Sequence, residues 1–159
     1  MTAGGSDPAT LAALFEGAPR FLARLDAAGL FTDDAELFAR AREIAHAMPH
    51  AEQIELIDAH PRLGAPPGSV SAMSYREQGY DRGAGTPLDL AAELERLNEA
   101  YEARHGFRYC VFVAGRAREV LLPGFAAAVE ADREAEIHRA LDAVVDIAMD
   151  RRAKLSVST

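Results

Sequence analysis

TPLDLAAELERLNEAYEARHGFRYCVFV, residues 86–113, decides the fold class. Its first two-thirds set Leu90, Leu94, Leu97 and Tyr101 three and four residues apart, which lines them along one face of an α-helix. Thr86-Pro87 supplies an N-cap and a first-turn proline, and Gly106 marks the helix end. The last third, Phe107 to Val113, is rich in β-branched and aromatic residues and favours extended backbone. A single strand without a convincing second candidate cannot build a sheet. Its N–H and C=O groups must bond to helix ends, side chains, water or a ligand. The reading is an all-α, compact helical bundle with one short extended segment near 107–113.

The helical period continues in both directions. Asp7-Pro8 reads as another N-cap and first-turn proline, ahead of Leu11, Leu14 and Phe15. Gly17-Ala18-Pro19 breaks that helix, and Phe21, Leu22 and Leu25 begin the next stripe, which Gly29 ends. Asp33 with Glu36 resembles a capping pair before Leu37, Phe38, Ala41, Ile44, Ala45 and Met48. Pro49 stops that helix, and a short one follows from about Glu52 with Ile54, Leu56 and Ile57 as its buried side. Residues 61–72 hold too many prolines and glycines for regular helix, after which Ser71 or Ser74 caps a short helix through Tyr80. Pro123-Gly124 is placed to kink or divide the following helix, and Asp132 to about Leu155 reads as the last long one.

The chain of 159 residues suits one domain, 1–159, with an ordered core of about 7–155. Seventeen basic against 25 acidic residues give a formal charge of −8, which argues against a surface built for nucleic-acid backbones. Its one cysteine, Cys110, excludes an internal disulfide and a multi-cysteine metal site. No apolar run approaches the roughly 20 residues of a membrane helix. The N-terminus lacks the pattern of a signal peptide, and Ser156-Val-Ser-Thr159 is not a peroxisomal signal. A cytoplasmic protein is expected, with neither nucleic acid nor a membrane as partner.

Taken singly, the candidate functional residues are modest. His60 ends a short helix just before Pro61, where it can project into a pocket, though the helix dipole alone would favour a histidine there. Ser74 lies three residues before Glu77-Gln78, so they would share a helical face, and a serine cap on a solvated face explains them equally. Arg151 and Arg152 complement the end of the last helix. His46 and His50 stand four apart, but Pro49 disrupts the helix that would align them, and no metal motif accompanies them. His105 and His138 read as helix-surface residues, and Cys110 as a buried thiol.

In combination they say more. His-Pro-Arg-Leu-Gly at 60–64, Ser-x-x-Glu-Gln at 74–78, Leu97-Asn98-x-x-Tyr101, His105-Gly106-Phe107 and Ile147-x-x-x-Arg151-x-x-x-Leu155 occur in one order. That order resembles the 2-oxo-4-hydroxy-4-carboxy-5-ureidoimidazoline (OHCU) decarboxylase family, over nearly the whole chain. The resemblance implies an all-α homodimer that needs no cofactor or metal and produces (S)-allantoin in the last step of urate degradation. It implies His60 and Glu77 as catalytic residues, and Pro61, Ser74, Gln78 and Arg151 as substrate contacts. It also implies that main chain around Tyr109 to Val113 faces the ligand. The chain departs from the commoner family pattern at Gly79–Gly83, Ala128, Ala131 and Arg152. A helical binding module without the chemistry, or a lyase for another ureido acid, therefore stays open.

Overall fold

The computed structural model describes residues 7–64 and 88–157. Among these residues the secondary structure is seven helices: α1 (Pro8–Leu14), α2 (Pro19–Ala27), α3 (Asp34–Ala47), α4 (His50–Asp58), α5 (Leu88–His105), α6 (Arg118–Glu130) and α7 (Arg133–Val157). Contacts divide the chain into two compact units. One comprises Met1–Ala59 with Ile137–Thr159, and the other comprises His60–Glu136.

Local chemistry sets most boundaries. Asp7 accepts the Thr10 N–H at 3.1 Å, with Pro8 in the first turn of α1. Asp33 accepts the Glu36 N–H at 2.8 Å. Glu36 does not return the bond to Asp33, as a full capping box would; its carboxylate takes the N–H and hydroxyl of Thr32. Asp132 caps α7 through the Ala135 N–H at 3.0 Å. Pro123 neither ends nor divides α6, which runs unbroken from Arg118 to Glu130. The proline removes one backbone bond while the burial of Leu121, Phe125 and Ala128 holds the helix to its neighbours.

In the first unit α2 packs on both α3 and α4. Its core holds Leu14, Phe15, Phe21, Leu25, Leu37 and Leu56, with Leu141, Val144 and Val145 from α7. The Phe15 and Phe21 rings meet at 4.8 Å. The helix expected from about Glu52 begins at His50, and Ile54 is only half-buried. Gln53 takes the inward place instead, because its amide donates to the Ala45 and His46 carbonyls at the end of α3, at 3.1 and 3.2 Å. An inward glutamine is stable there because it satisfies helix-end acceptors.

In the second unit α5 packs on α6. Leu90, Leu94, Leu97 and Tyr101 are all buried, as their spacing predicts. Tyr101 lies among His105, Phe107, Tyr109 and Phe125, and the Tyr109 and Phe125 rings stack at 3.9 Å. Residues 108–113 form no regular strand. Their backbone finds partners in part through Arg116, whose guanidinium donates to the Phe112 and Val113 carbonyls at 2.5 and 2.9 Å. His105 is buried, contrary to the surface position expected. Its Nε2 bonds the Ala128 carbonyl at 2.9 Å, so the ring serves packing between α5 and α6.

Candidate active site

His60 opens the second unit, two residues past the last residue of α4. It is 4% exposed, and Pro61 after it fixes one backbone angle. The His60 carbonyl accepts a bond from Arg108 Nη1 at 3.2 Å. Pro61 is half-buried. Arg62 grips Glu102 with both prongs of its guanidinium, Nε at 2.7 Å and Nη2 at 2.8 Å. That pairing raises the Arg62 pKa, since the Glu102 hydrogen bond and charge outweigh partial burial. The Leu63 carbonyl accepts from Asn98 Nδ2 at 3.0 Å, and Gly64 sits at φ +83° against Leu94.

Arg151 belongs to the first unit, on α7, and is 2% exposed. Its Nη1 donates to the Ala13 and Leu14 carbonyls at 2.8 and 3.4 Å, and its Nη2 meets Glu16 Oε1 at 2.7 Å. Glu16 has φ +55°, the left-handed region that ordinarily takes glycine at a helix end. The Gly17 N–H returns to Ala12 O at 2.8 Å, closing the end of α1, while Arg151 takes the carbonyls that follow. Arg152 pairs with Asp34 at 3.1 Å. Ser74, Glu77 and Gln78 lie outside the described residues, as do the 65–72 loop, the short helix expected through Tyr80 and the Thr86-Pro87 cap.

Other candidates find different employment. The partner of His46 is His138, not His50: their Nδ1 atoms are 2.6 Å apart, and His46 Nε2 is 2.8 Å from Asp142. Arg42 pairs with Asp142 at 2.7 Å and with Asp146 at 3.0 Å. Burial pushes the Asp142 carboxyl up, and hydrogen bonds from His46 and Arg42 outweigh it, holding it below the usual range. His138 is thus half-buried and not a free surface residue. Cys110 is buried, as expected. Among the described residues no group of three or more His, Cys, Asp or Glu is placed to hold a metal ion. A cavity of about 510 Å³ beside α2 and α3, lined by Arg24, Arg40, Glu43, Ile44 and Met48, includes none of the expected site residues. Arg24 and Arg40 are already paired, with Glu52 and Glu43.

Of the residues that hold the His60 loop, only Asn98 stands within a motif of the sequence, Leu97-Asn98-x-x-Tyr101. Asn98 carried a signal: it is a polar residue one turn after Leu94, on the stripe otherwise made of leucines. Glu102 and Arg108 carried none.

The family model of OHCU decarboxylase matches residues 7–153. The chain belongs to that family. The uric acid degradation bifunctional protein PucL of Bacillus subtilis (strain 168) is 32% identical over 149 residues, covering 92% of this chain and 29% of that protein. The uric acid degradation bifunctional protein of Bacillus sp. (strain TB-90) is 24% identical over 141 residues, covering 89% and 28%. The chain therefore spans less than a third of the length of these two relatives. Among solved structures, that of an OHCU decarboxylase in the presence of (S)-allantoin superposes with a TM-score of 0.73 at 23% identity, covering 92% of this chain and 96% of that one. That of an (S)-allantoin synthase gives 0.66 at 22% identity, covering 92% and 48%. At these identities the likeness is one of fold, and it bears out the all-α class.

Proposed function

We propose that this chain is a carboxy-lyase that converts OHCU to (S)-allantoin with release of CO2, the last step of urate degradation. The observation that carries the reading is the family match over residues 7–153, which runs through every motif block from His60 to Arg151. The substrate contains its own electron sink. Breaking the bond from C4 to the carboxylate sends the electron pair into the adjacent C5=N bond, and C5 then takes a proton while the C4 hydroxyl becomes a carbonyl. No pyridoxal phosphate, thiamine or metal is required for that electron flow.

In this reading His60 handles the C4 hydroxyl proton or orients the departing carboxylate, an assistance worth about 10²–10⁴-fold. Its burial supports the role, because excluding water strengthens every polar contact the ring makes. Glu77 acts with it, while Gln78 and Ser74 hold the ureido and ring amides, since carboxylate, amide and hydroxyl supply complementary donors and acceptors. Pro61 contributes to the wall of the site. Arg151 anchors substrate oxygens with its planar fork. It holds the α1 carbonyls and Glu16 as well, so its loss removes structure together with binding. The chain works as one domain and as a homodimer in the cytoplasm, on a small molecule. Among the described residues no helix is long and apolar enough to cross a membrane.

The test follows allantoin by circular dichroism while urate oxidase and hydroxyisourate hydrolase generate the substrate in the presence of metal-free protein. Rapid appearance of one enantiomer, reduced about 10²–10⁴-fold in His60→Ala, is the expected result. Slow racemic product equal to the no-enzyme control, from folded protein, overturns the assignment. Binding of allantoin analogues without turnover would identify a binding module instead. Light scattering checks the dimer.

A further inference from the structure

The loop that begins at His60 lies along α5 in register, one loop residue to each helical turn. Gly64 meets Leu94, the Leu63 carbonyl meets Asn98, and Arg62 meets Glu102. Positions 94, 98 and 102 are four apart, so they form one stripe on the helix, and the loop runs antiparallel to it. Beyond the end of α5, Arg108 reaches the carbonyl of His60 itself.

We propose that this stripe, through Asn98 and Glu102, sets the position of the His60 side chain, which makes both of them positioning residues for the decarboxylation. The proposal rests on the catalytic reading of His60. Asparagine is a poor helix former and is rarely buried without cause. Asn98 is 2% exposed, and its one Nδ2 donates to both Leu63 O at 3.0 Å and Leu94 O at 2.8 Å. One nitrogen thereby ties the loop to the helix backbone. A leucine of similar size would leave the Leu63 carbonyl without this donor. One turn on, the two parallel bonds between Arg62 and Glu102 fix direction as well as distance. At the far end the approach is close enough that a Cβ on Gly64 would lie 2.8 Å from Leu94 Cδ1. Three consecutive residues are thus fixed, Pro61 restricts the link, and Arg108 holds the His60 carbonyl. A buried imidazole on so constrained a backbone has its position set by these ties.

The experiment compares Asn98→Ala, Glu102→Gln and Glu102→Asp with a control, Glu93→Gln, which disrupts an exposed pair with Arg96 on the same helix. Two readouts are taken: the imidazole ¹H–¹⁵N signals of His60, assigned by their loss in His60→Ala, and kcat and KM across pH. Asn98→Ala is expected to move the His60 signals and lower kcat about 10- to 100-fold, with KM changed less than about threefold. Glu102→Gln keeps volume but turns one acceptor into a donor, so it does the same to a smaller extent. Glu102→Asp recovers part of the loss, and Glu93→Gln changes neither readout. Should Asn98→Ala fail to fold, Glu102→Gln and Glu102→Asp carry the test. Unmoved His60 signals and an unmoved pH profile in the folded variants, whatever their melting temperatures, overturn the proposal. Inactive wild-type protein whose His60 signals still move would sink the decarboxylase reading and leave the positioning role standing.

Discussion

The two units of this chain are fastened differently. In the first, the guanidinium ties to the last helix join residues about a hundred or more apart: Arg42 to Asp142 and Asp146, Asp34 to Arg152, and the end of α1 to Arg151. In the second, the polar ties join residues within one continuous stretch: Leu63 to Asn98, Arg62 to Glu102, Tyr101 to Glu136, His105 to Ala128. The first unit closes only when both ends of its chain have met, and most of its long ties run through guanidinium groups. The second encloses an aromatic cluster around Tyr101 and can close locally, at a smaller loop-closure cost. Removing charge should therefore damage the first unit most, and removing ring contacts or their polar handles the second.

The largest effect is expected at Arg151. Arg151→Ala removes a buried guanidinium with its bonds to Glu16 and to two carbonyls of α1, a loss of about 3–5 kcal/mol in urea unfolding. Arg151→Lys keeps the charge without the fork and should cost less. A loss below about 1 kcal/mol in the alanine variant would show that the long-range tie is not a fastener of the first unit. Tyr101→Phe is the counterpart in the second unit. It keeps the ring and removes the hydroxyl that bonds Glu136 at 2.7 Å, for about 1–3 kcal/mol. A third substitution separates strain from pairing: Glu16→Gly and Glu16→Ala both lose the Arg151 contact, but only glycine accepts φ +55° freely. The glycine variant should be the more stable by about 1–2 kcal/mol. Equal stabilities would mean that α1 rearranges its end.

Much of this fold was legible because its signals are local. Asp7-Pro8, Asp33 and Asp132 mark helix starts by chemistry confined to a few residues, and Leu90, Leu94, Leu97 and Tyr101 mark a buried face by period alone. What escaped depends on partners in another helix, whether 7 or 8 residues away, as for Gln53, or 92, as for His46. Gln53 and His105 are polar and look like surface residues until the carbonyls they serve are in place. The pairing of His46 with His138 spans 92 residues and leaves no trace in spacing. The same holds for the site. His60 stood out by its place before Pro61 and within a family motif. That Arg151 also closes α1, and that α5 carries the His60 loop, required the folded chain.

The smallest expected effect is the most diagnostic of where charge matters. The Asp142 carboxyl titrates below the ordinary range in the folded chain, with burial opposing and bonds from His46 and Arg42 prevailing. A carboxyl whose folded pKa is depressed adds stability that is complete above its unfolded value, about 3.9, and is lost as pH falls through the lower folded value. Wild-type protein should therefore exceed Asp142→Asn in stability near neutral pH, and the gap should narrow as pH drops below about 4. Asp142 is 48% exposed and Arg42 is 36% exposed, so solvent screens the pair and the gap stays under about 1 kcal/mol. Half-molar salt should shrink it further, while the loss in Arg151→Ala, whose side chain is 2% exposed, should hardly change. A gap that ignores salt, or that widens on acidification, would mean that the Arg42 cluster behaves like the buried Arg151 tie. The contrast between the exposed and buried fasteners of the first unit would then fail.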